Sequence, residues 1–150
     1  MSPDTLFTIC NNGVLPAWGL LVFAPRWEWT QRIVHAVWIP ALLGVVYVGV
    51  FALAPPPPEE GSFFTLEGVM TLFTQPESVL AGWVHYLAFD LFVGAWEVRD
   101  AQRRGIAHGW VVPCLGLTLM LGPSGLLAYF LVRFALTREL GLDEAPPSPA

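Results

Sequence analysis

Four long apolar segments, separated by short charged or proline-rich connections, dominate this chain. They cover residues 6–24, 33–53, 79–96 and 110–136. An α-helix rises about 1.5 Å per residue, so segments of this length can cross a hydrocarbon core of roughly 30 Å. Only 13% of the 150 residues are charged, against about 25% in a soluble domain, and the mean hydropathy is +0.57. We therefore predict an all-α integral membrane protein, a bundle of four transmembrane helices.

The connection between the second and third segments carries a short amphipathic pattern of its own. It opens on a four-proline string, residues 55–58, which cannot continue a helix. Phe63, Leu66, Met70 and Phe73 then recur at helical spacing in a stretch too short to span a membrane. We predict a short interfacial helix between transmembrane helices two and three.

The fourth segment is longer than a straight crossing needs, and Gly122, Pro123, Ser124 and Gly125 interrupt it. Proline cannot donate to the carbonyl four residues back, so a kink or a broken helix is expected there. Residues 1–140 are predicted to form one membrane domain. The proline-rich residues 141–150 are predicted to be a disordered tail.

The arginines predict which connections face the cytoplasm. Two lie between helices one and two and three between helices three and four, whereas the acidic loop between helices two and three has none. The first and third connections should therefore be cytoplasmic, with both termini on the other side. Arg133 and Arg138 count modestly against that placement of the C-terminus.

Several functional classes receive no support from the composition. The net charge of −5 and the lack of a basic patch argue against nucleic-acid binding. Cys10 and Cys114 have no His or Cys at metal-ligand spacing, so we interpret both as small buried hydrophobes and predict no metal or cofactor. A disulfide or redox pair between them would require that their two helices bring them together.

Asp90, inside the third apolar segment, is the most informative residue in the chain. An Asp near the centre of a span costs roughly 2.5 to 3.5 kcal/mol on insertion scales. Asp90 lies about 9 Å inside the segment, counted from Trp96, which is too deep for its side chain to reach the headgroups. It must be protonated or have a partner inside the bundle, and we favour a functional role.

Two further carboxyls share the helical stripe of Asp90. Glu97 lies two turns further along, and Asp100 one turn beyond Glu97. Both are candidate catalytic residues, although an ion-pair cluster with the neighbouring arginines is an equally good interpretation. His85 is about 7.5 Å from Asp90 along the axis and about 140° around it, so contact would need a neighbouring helix or a water.

Candidate partners for Asp90 lie on the other predicted helices: Asn11 and Asn12 on the first, His35 on the second and Ser124 on the fourth. For the asparagines, hydrogen bonding between helices is a stronger interpretation than function. For His35, a snorkelling or internally satisfied histidine is the stronger one.

Aromatic residues admit two interpretations. Most tryptophans fall near the ends of the apolar segments, where an aromatic belt explains them. The sharper alternative is that aromatic side chains form walls around a long apolar ligand. The candidate substrate-binding residues are Asn11, Trp18, His35, Phe89, Trp96 and Ser124.

Residues 85–97, HYLAFDLFVGAWE, resemble the signature of the neoxanthin synthase family, the abscisic-acid-deficient membrane proteins of plastids and their bacterial relatives. The resemblance covers roughly residues 5 to 138, the length of one domain. The first segment, with Asn11 and Trp18, is compatible with it. Further residues that carry it are Asp100, Ala101, Gly105, Pro113, Cys114 and residues 122–127.

The resemblance implies isomerisation of an epoxycarotenoid, violaxanthin, into an allenic product, with neither redox change nor metal. General acid and base suffice for such a reaction. On this interpretation Asp90 is the acid, Glu97 or His85 the base, and Asn11, His35 and Asp100 orienting groups. The expected partners are a carotenoid or other isoprenoid lipid and membrane lipids, and the expected location is a bacterial inner membrane.

Three other functions remain open from the sequence. The protein could hold a carotenoid, quinone or other long lipid without turnover, or support a partner complex. As a homo-oligomer it could carry protons or small solutes past Asp90, Glu97 and His85. Haem binding through His35 and His85 is a weaker fourth hypothesis.

Overall fold

A computed structural model describes residues 1–36, 38–139 and 141–142, and within these ranges the chain is helical with no β-strand. A single π-helical turn, Thr30–Val34, precedes α3. The α-helices are α1 (Pro3–Gly13), α2 (Leu15–Phe23), α3 (Trp38–Leu53), α4 (Leu66–Leu72), α5 (Pro76–Arg103), α6 (His108–Leu121) and α7 (Pro123–Thr137).

Three helical stretches of the described chain are long and apolar enough to cross a membrane. They are Pro3–Phe23, Thr30–Leu53 and Pro76–Arg103, and they correspond to the first three predicted segments. In the first, Ser2 caps α1, and Val14 keeps helical backbone angles (φ −84°, ψ −21°), so α1 runs into α2 with little interruption. The prediction of an all-α protein with apolar helices is confirmed.

The central element is α5, against which α1, α2, α3, α6 and α7 all pack. Its side facing the other helices carries small and branched apolar residues that are buried along most of its 28 residues. At Gly94 the approach is very close, because an added Cβ would lie 2.7 Å from the buried ring of Trp18. A residue larger than glycine would push α2 away from α5 at this point.

The fourth predicted segment is not one crossing helix but a hairpin of two short ones. With 14 and 15 residues, α6 and α7 are about 21 and 22 Å long, too short to span roughly 30 Å. The chain reverses at Gly122, whose φ of 48° departs from a helix, and at Pro123, which cannot donate a backbone hydrogen bond. The predicted break therefore exists, and it reverses the chain.

Contacts along α5 show how the hairpin is placed. Gly122 at its tip faces Asp90 in the middle of α5. From there α7 runs back beside α5, so that Tyr129 meets Asp100 and Glu139 pairs with Arg104. The ends of α5 and α7 thus lie together, and the predicted placement of the C-terminal end on the opposite side is replaced by this one.

All seven arginines lie at the end of the bundle where α5 and α7 end. The connection after α2 also lies at this end of the bundle, because Gln102 donates to the carbonyl of Pro25 at 3.2 Å. The arginines of the first connection, of the end of α5 and of α7 therefore gather at one end. Arg133 and Arg138, which opposed the predicted orientation, agree with it once α7 turns back.

Three further predictions concern the short helix between the second and third spans, the two cysteines and the C-terminal tail. A helix, α4, does form between the second and third spans, and Thr65 caps it by accepting from the amide of Gly68 at 3.1 Å. Cys10 and Cys114 are both buried and unbridged. Of the predicted tail, residues 143–150 lie outside the described residues.

Candidate functional site

Asp90 lies at the middle of α5, 14 residues after its first residue and 13 before its last. Its carboxyl faces the tip of the hairpin, where a Cβ built on Gly122 would lie 3.0 Å from Oδ1 and 3.4 Å from Oδ2. The Oδ2 atom is buried and has no hydrogen-bond partner among the described residues. Asp90 is thus neither in open water nor closed into a salt bridge.

Tyr86, one helical turn before Asp90, belongs to the same site. Its hydroxyl donates to the carbonyl of Leu119 at 3.0 Å and lies within electrostatic reach of the Asp90 carboxyl. Tyr86 lies within the signature of residues 85–97 but was not among the predicted site residues. The spacing of four residues from Asp90, which puts both side chains on one helix face, is the signal that could have identified it.

Two residues hold the ring of Tyr86 from the α1 side. The indole of Trp83 stacks on it, with ring centroids 5.3 Å apart and an interplanar angle of 26°. The indole nitrogen of Trp83 donates to Oδ1 of Asn11 at 3.1 Å. Asn11 therefore forms a hydrogen bond between helices, which was the preferred interpretation of its sequence position, and it reaches the site through Trp83.

Glu97 is fully buried against the hairpin rather than solvated. Its Oε1 accepts from the hydroxyl of Thr118 at 2.9 Å, and within the described part of the chain its Oε2 has no partner. Its bonded partner is an uncharged hydroxyl, so the ion-pair interpretation does not describe the surroundings of Glu97. It lies about 10.5 Å from Asp90 along the helix axis.

Asp100 has a different environment, a buried network of cations at the end of α5. Its carboxylate accepts two hydrogen bonds from Nε of Arg104, at 3.0 and 3.1 Å, and one from the hydroxyl of Tyr129 at 2.7 Å. Arg133 and Arg103 lie 3.5 and 3.6 Å away. With both oxygens engaged, this carboxylate resembles a structural anchor more than a proton donor.

His85 faces away from Asp90, toward α3. Its ring stacks on Phe89 with centroids 4.5 Å apart, and Tyr47 of α3 lies 5.9 Å from it. Here two cavities of about 500 and 360 Å³ adjoin between α3 and α5, and His85 and Tyr47 line both of them. The apolar residues of the smaller cavity, which we call the α3–α5 groove, are Pro40, Gly44, Val84, Ala88, Phe89 and Phe92.

The other predicted site residues fall in separate places. Trp18 packs in the core against Gly94, and Trp96 meets Tyr129 edge-on at 5.6 Å. His35 lies before α3, where its carbonyl accepts from Arg99 at 2.9 Å, and its ring nitrogens have no hydrogen bond in the described chain. Ser124 is exposed beyond the hairpin tip.

The structure therefore brings together Asp90, Tyr86 and the hairpin tip, with Glu97 two turns along the same interface. His85 and His35 do not join this group. No cluster of three or more His, Cys, Asp or Glu side chains that could hold a metal ion is present in residues 1–36, 38–139 and 141–142.

Comparison with known proteins adds an independent finding. The sequence profile of the family described as ABA DEFICIENT 4-like matches residues 5–129. The chain is also similar to the protein ABA DEFICIENT 4, chloroplastic, of Arabidopsis thaliana, with 24% identity over 143 residues. That alignment covers 91% of this chain and 64% of the Arabidopsis protein, so the chain spans a little under two thirds of its relative. No solved structure matches the chain.

Proposed function

Because the chain belongs to the ABA DEFICIENT 4-like family, we propose that it is a membrane-embedded isomerase of an epoxycarotenoid or a related isoprenoid lipid. The family match confirms the resemblance noted in residues 85–97, which implied the neoxanthin synthase type of reaction. Three helices long and apolar enough to span a membrane suit a substrate that dissolves only in lipid. A bacterial inner membrane is the proposed location.

The observation that carries the proposal is the carboxyl of Asp90 at the middle of α5, which faces the hairpin tip and whose Oδ2 has no hydrogen-bond partner among the described residues. Irregular backbone at membrane depth persists only where protein or a wet cavity surrounds it, so the tip marks a place able to host polar chemistry. A carboxyl this deep is neutral unless a partner compensates its charge, and a neutral carboxyl is a proton donor.

One carboxyl can carry both proton transfers of the isomerisation. Asp90 first gives its proton to the epoxide oxygen, and the carbon–oxygen bond opens to leave a hydroxyl and a carbocation. The Asp90 carboxylate then removes a proton from the neighbouring polyene carbon. The electrons of that carbon–hydrogen bond form the new double bond, so Asp90 is reprotonated and nothing is oxidised or reduced.

The geometry supports Asp90 over the other predicted bases for this step. Reacting groups must come within about 3 to 3.5 Å of the atoms on which they act. Glu97 is about 10.5 Å from Asp90 along the axis, and His85 is about 7.5 Å away and on another face. Neither is placed to share one epoxide and its neighbouring carbon with Asp90.

The α3–α5 groove is the proposed support for the part of the substrate that lies away from the reacting epoxide, because it lies on a different face of α5 from the carboxyl of Asp90. Its lining is almost entirely apolar, and it reaches Phe89, the residue next to Asp90 in the chain. An elongated polyene lying there would meet aromatic side chains with little desolvation of polar groups. His85 and Phe89 are thus proposed binding residues, and His85 is not assigned a catalytic role.

Replacing Asp90 tests the proposal. In a pigment-producing host that depends on this protein, Asp90→Asn should abolish formation of the product, with a loss of about 10²- to 10⁴-fold per folded molecule. Glu67→Gln, the same chemical change at an exposed position of α4, is the matched control and should leave the pigments unaltered. An unchanged carotenoid profile in Asp90→Asn would remove Asp90 from the mechanism.

A second function, binding of a long lipid without turnover, is favoured by the α3–α5 groove alone. That groove exists on a different face of α5 from the carboxyl of Asp90. Purification in mild detergent followed by pigment extraction separates the two functions. A bound polyene with unchanged chemistry would favour a binding protein, whereas an isomerised product would favour the enzyme.

A further inference from the structure

The hydroxyl of Tyr86 stands between two acceptors. It donates to the carbonyl of Leu119 at 3.0 Å, and the carboxyl of Asp90 lies within its electrostatic reach. A Cβ on Gly122 would lie 3.4 Å from Cε2 of Tyr86 and 3.0 Å from Oδ1 of Asp90. The ring and the carboxyl therefore converge on the same point of the hairpin tip.

The Leu119 carbonyl is available because the hairpin breaks where it does. In an uninterrupted helix the amide of residue 123 would donate to it, but residue 123 is proline and has no N–H. Tyr86 satisfies this orphan carbonyl. A phenol has one hydrogen to donate, so its bond to Leu119 excludes a simultaneous donation to Asp90.

Which acceptor forms the stronger hydrogen bond with the Tyr86 hydroxyl, the Leu119 carbonyl or the Asp90 carboxyl, depends on whether Asp90 carries its proton. A hydrogen bond to an ionised acceptor is roughly twice as strong as one to a neutral acceptor. While Asp90 is neutral, the Leu119 carbonyl holds the hydroxyl. Once Asp90 is a carboxylate, the hydroxyl gains more by turning to Asp90.

We propose that Tyr86 is a positioning residue for proton transfer by Asp90, its hydroxyl switching from the Leu119 carbonyl to the Asp90 carboxylate while the substrate holds the proton. When the carboxylate takes a proton from the polyene carbon, the hydroxyl returns to Leu119. Only a hydrogen bond moves, so the proton balance of the reaction is unchanged. This inference rests on the proposed function and names a residue through which Asp90 acts.

The surroundings of the ring suit such a switch. Stacking with Trp83, itself bonded to Asn11, fixes the plane of the phenol from the α1 side. The ring need not move, because turning the hydroxyl hydrogen about the carbon–oxygen bond changes its acceptor. The Asn11–Trp83 contact is thereby linked to the chemistry without touching the substrate.

Tyr86→Phe, assayed as purified protein with an epoxycarotenoid in detergent, tests the inference. We expect kcat to fall about tenfold to hundredfold while KM stays the same, because the lost bond forms only with the charged intermediate state. Tyr129→Phe is the matched control, since it removes the hydroxyl of another tyrosine that donates to a carboxylate of α5. Its kcat per folded molecule should stay near that of the wild type.

A fluorinated tyrosine at position 86 guards against a variant that fails to fold. It keeps the hydroxyl and nearly the shape of the ring, and its main effect is to make the hydroxyl a stronger hydrogen-bond donor. We expect its kcat to change while the melting temperature does not, whereas an unchanged kcat would overturn the inference. Equal kcat values in Tyr86→Phe and Tyr129→Phe would also overturn it, and an inactive wild type would instead refute the proposed function.

Discussion

Gly122 meets two separate requirements at the tip of the hairpin. Its φ of 48° lies in the region that side chains disfavour, and it leaves room for the carboxyl of Asp90 3.0 Å from where a Cβ would stand. Gly105, between α5 and α6, also has a positive φ, of 68°, but nothing lies within 4 Å of its Cβ position. Substitutions at the two glycines therefore distinguish the effect of backbone strain, which both positions share, from the effect of contact with Asp90, which only Gly122 has.

We expect Gly122→Ala to abolish turnover and Gly105→Ala to preserve it. Both changes should cost about 1 to 3 kcal/mol in backbone strain, measured as a lowered melting temperature. Only the Gly122 variant also displaces Asp90. Comparable activity of the two variants per folded molecule would show that the contact with Asp90 is unimportant.

Asp100 is the carboxylate with the strongest structural environment, buried among Arg104, Arg133 and Tyr129. Removing its charge takes away the carboxylate that the buried Arg133 and Arg104 face, so Asp100→Asn should lower the free energy of unfolding by about 3 to 5 kcal/mol. Glu28→Gln, which breaks an exposed pair with Arg32, should cost at most about 1 kcal/mol.

Thermal unfolding in detergent measures both changes. If the Asp100 variant melted like the wild type but made no product, Asp100 would belong to the chemistry after all. The sequence left this choice open, because a stripe of carboxyls beside arginines is compatible with either role. The tyrosine and arginine that decide it come from α7, 29 and 33 residues further along the chain.

At the scale of the element, the hairpin of α6 and α7 depends on a close approach of two backbones. A Cβ on Gly125 would overlap the backbone and the hydroxyl of Thr118, the residue that donates to Glu97. Gly116, on the same hairpin, has open space at its Cβ position. Substitutions at Gly125 and Gly116 therefore distinguish the effect of packing between α6 and α7 from the effect of helix propensity within α6.

Gly125→Ala should destabilise the protein by about 1 to 3 kcal/mol or more through overpacking. In Gly116→Ala the gain in helix propensity, about 0.5 to 1 kcal/mol, should raise the melting temperature slightly. The measurement is again thermal unfolding of the purified protein in detergent. A Gly125 variant as stable as the wild type would contradict the tight turn described here.

The length of α5 shows what apolar pattern alone misses at this scale. The predicted segment, residues 79–96, is the part that hydropathy detects, whereas the helix runs from Pro76 to Arg103. Its polar end continues because its own side chains find partners on other segments, as Arg99 does by donating to the carbonyl of His35. Hydropathy predicts the part of a helix that crosses lipid, and contacts decide where the helix ends.

At the scale of the whole molecule, three spans and a hairpin have a different topology from four spans. With four crossings the two termini would lie on one side of the membrane. With the hairpin, the end of α7 lies beside the end of α5, so we expect the described termini to lie on opposite sides of the membrane. The arginine-rich end, with all seven arginines, should face the cytoplasm.

Cysteine labelling in membrane vesicles checks this topology. In a background without Cys10 and Cys114, we expect Ala107→Cys and Leu142→Cys to react with an impermeant maleimide from the cytoplasmic side. Ser2→Cys should react from the other side, and all three positions are exposed. Labelling of Leu142→Cys from the same side as Ser2→Cys would restore the four-span topology. Whether the protein forms a homo-oligomer stays a prediction.

The sequence by itself determined the helical class, the apolar character of the helices and the family, and it made Asp90 the first residue to test. These follow from local properties, because hydropathy, the cost of a buried Asp and the missing N–H of a proline can each be inferred from a single segment of the sequence. Only the tertiary structure decided that the fourth segment folds back, and that Tyr86 rather than His85 stands with Asp90. Helical spacing places Tyr86 on the face of Asp90, but that this face meets the hairpin tip depends on distant contacts, in which Gly122 and Leu119 approach α5 from about 30 residues away.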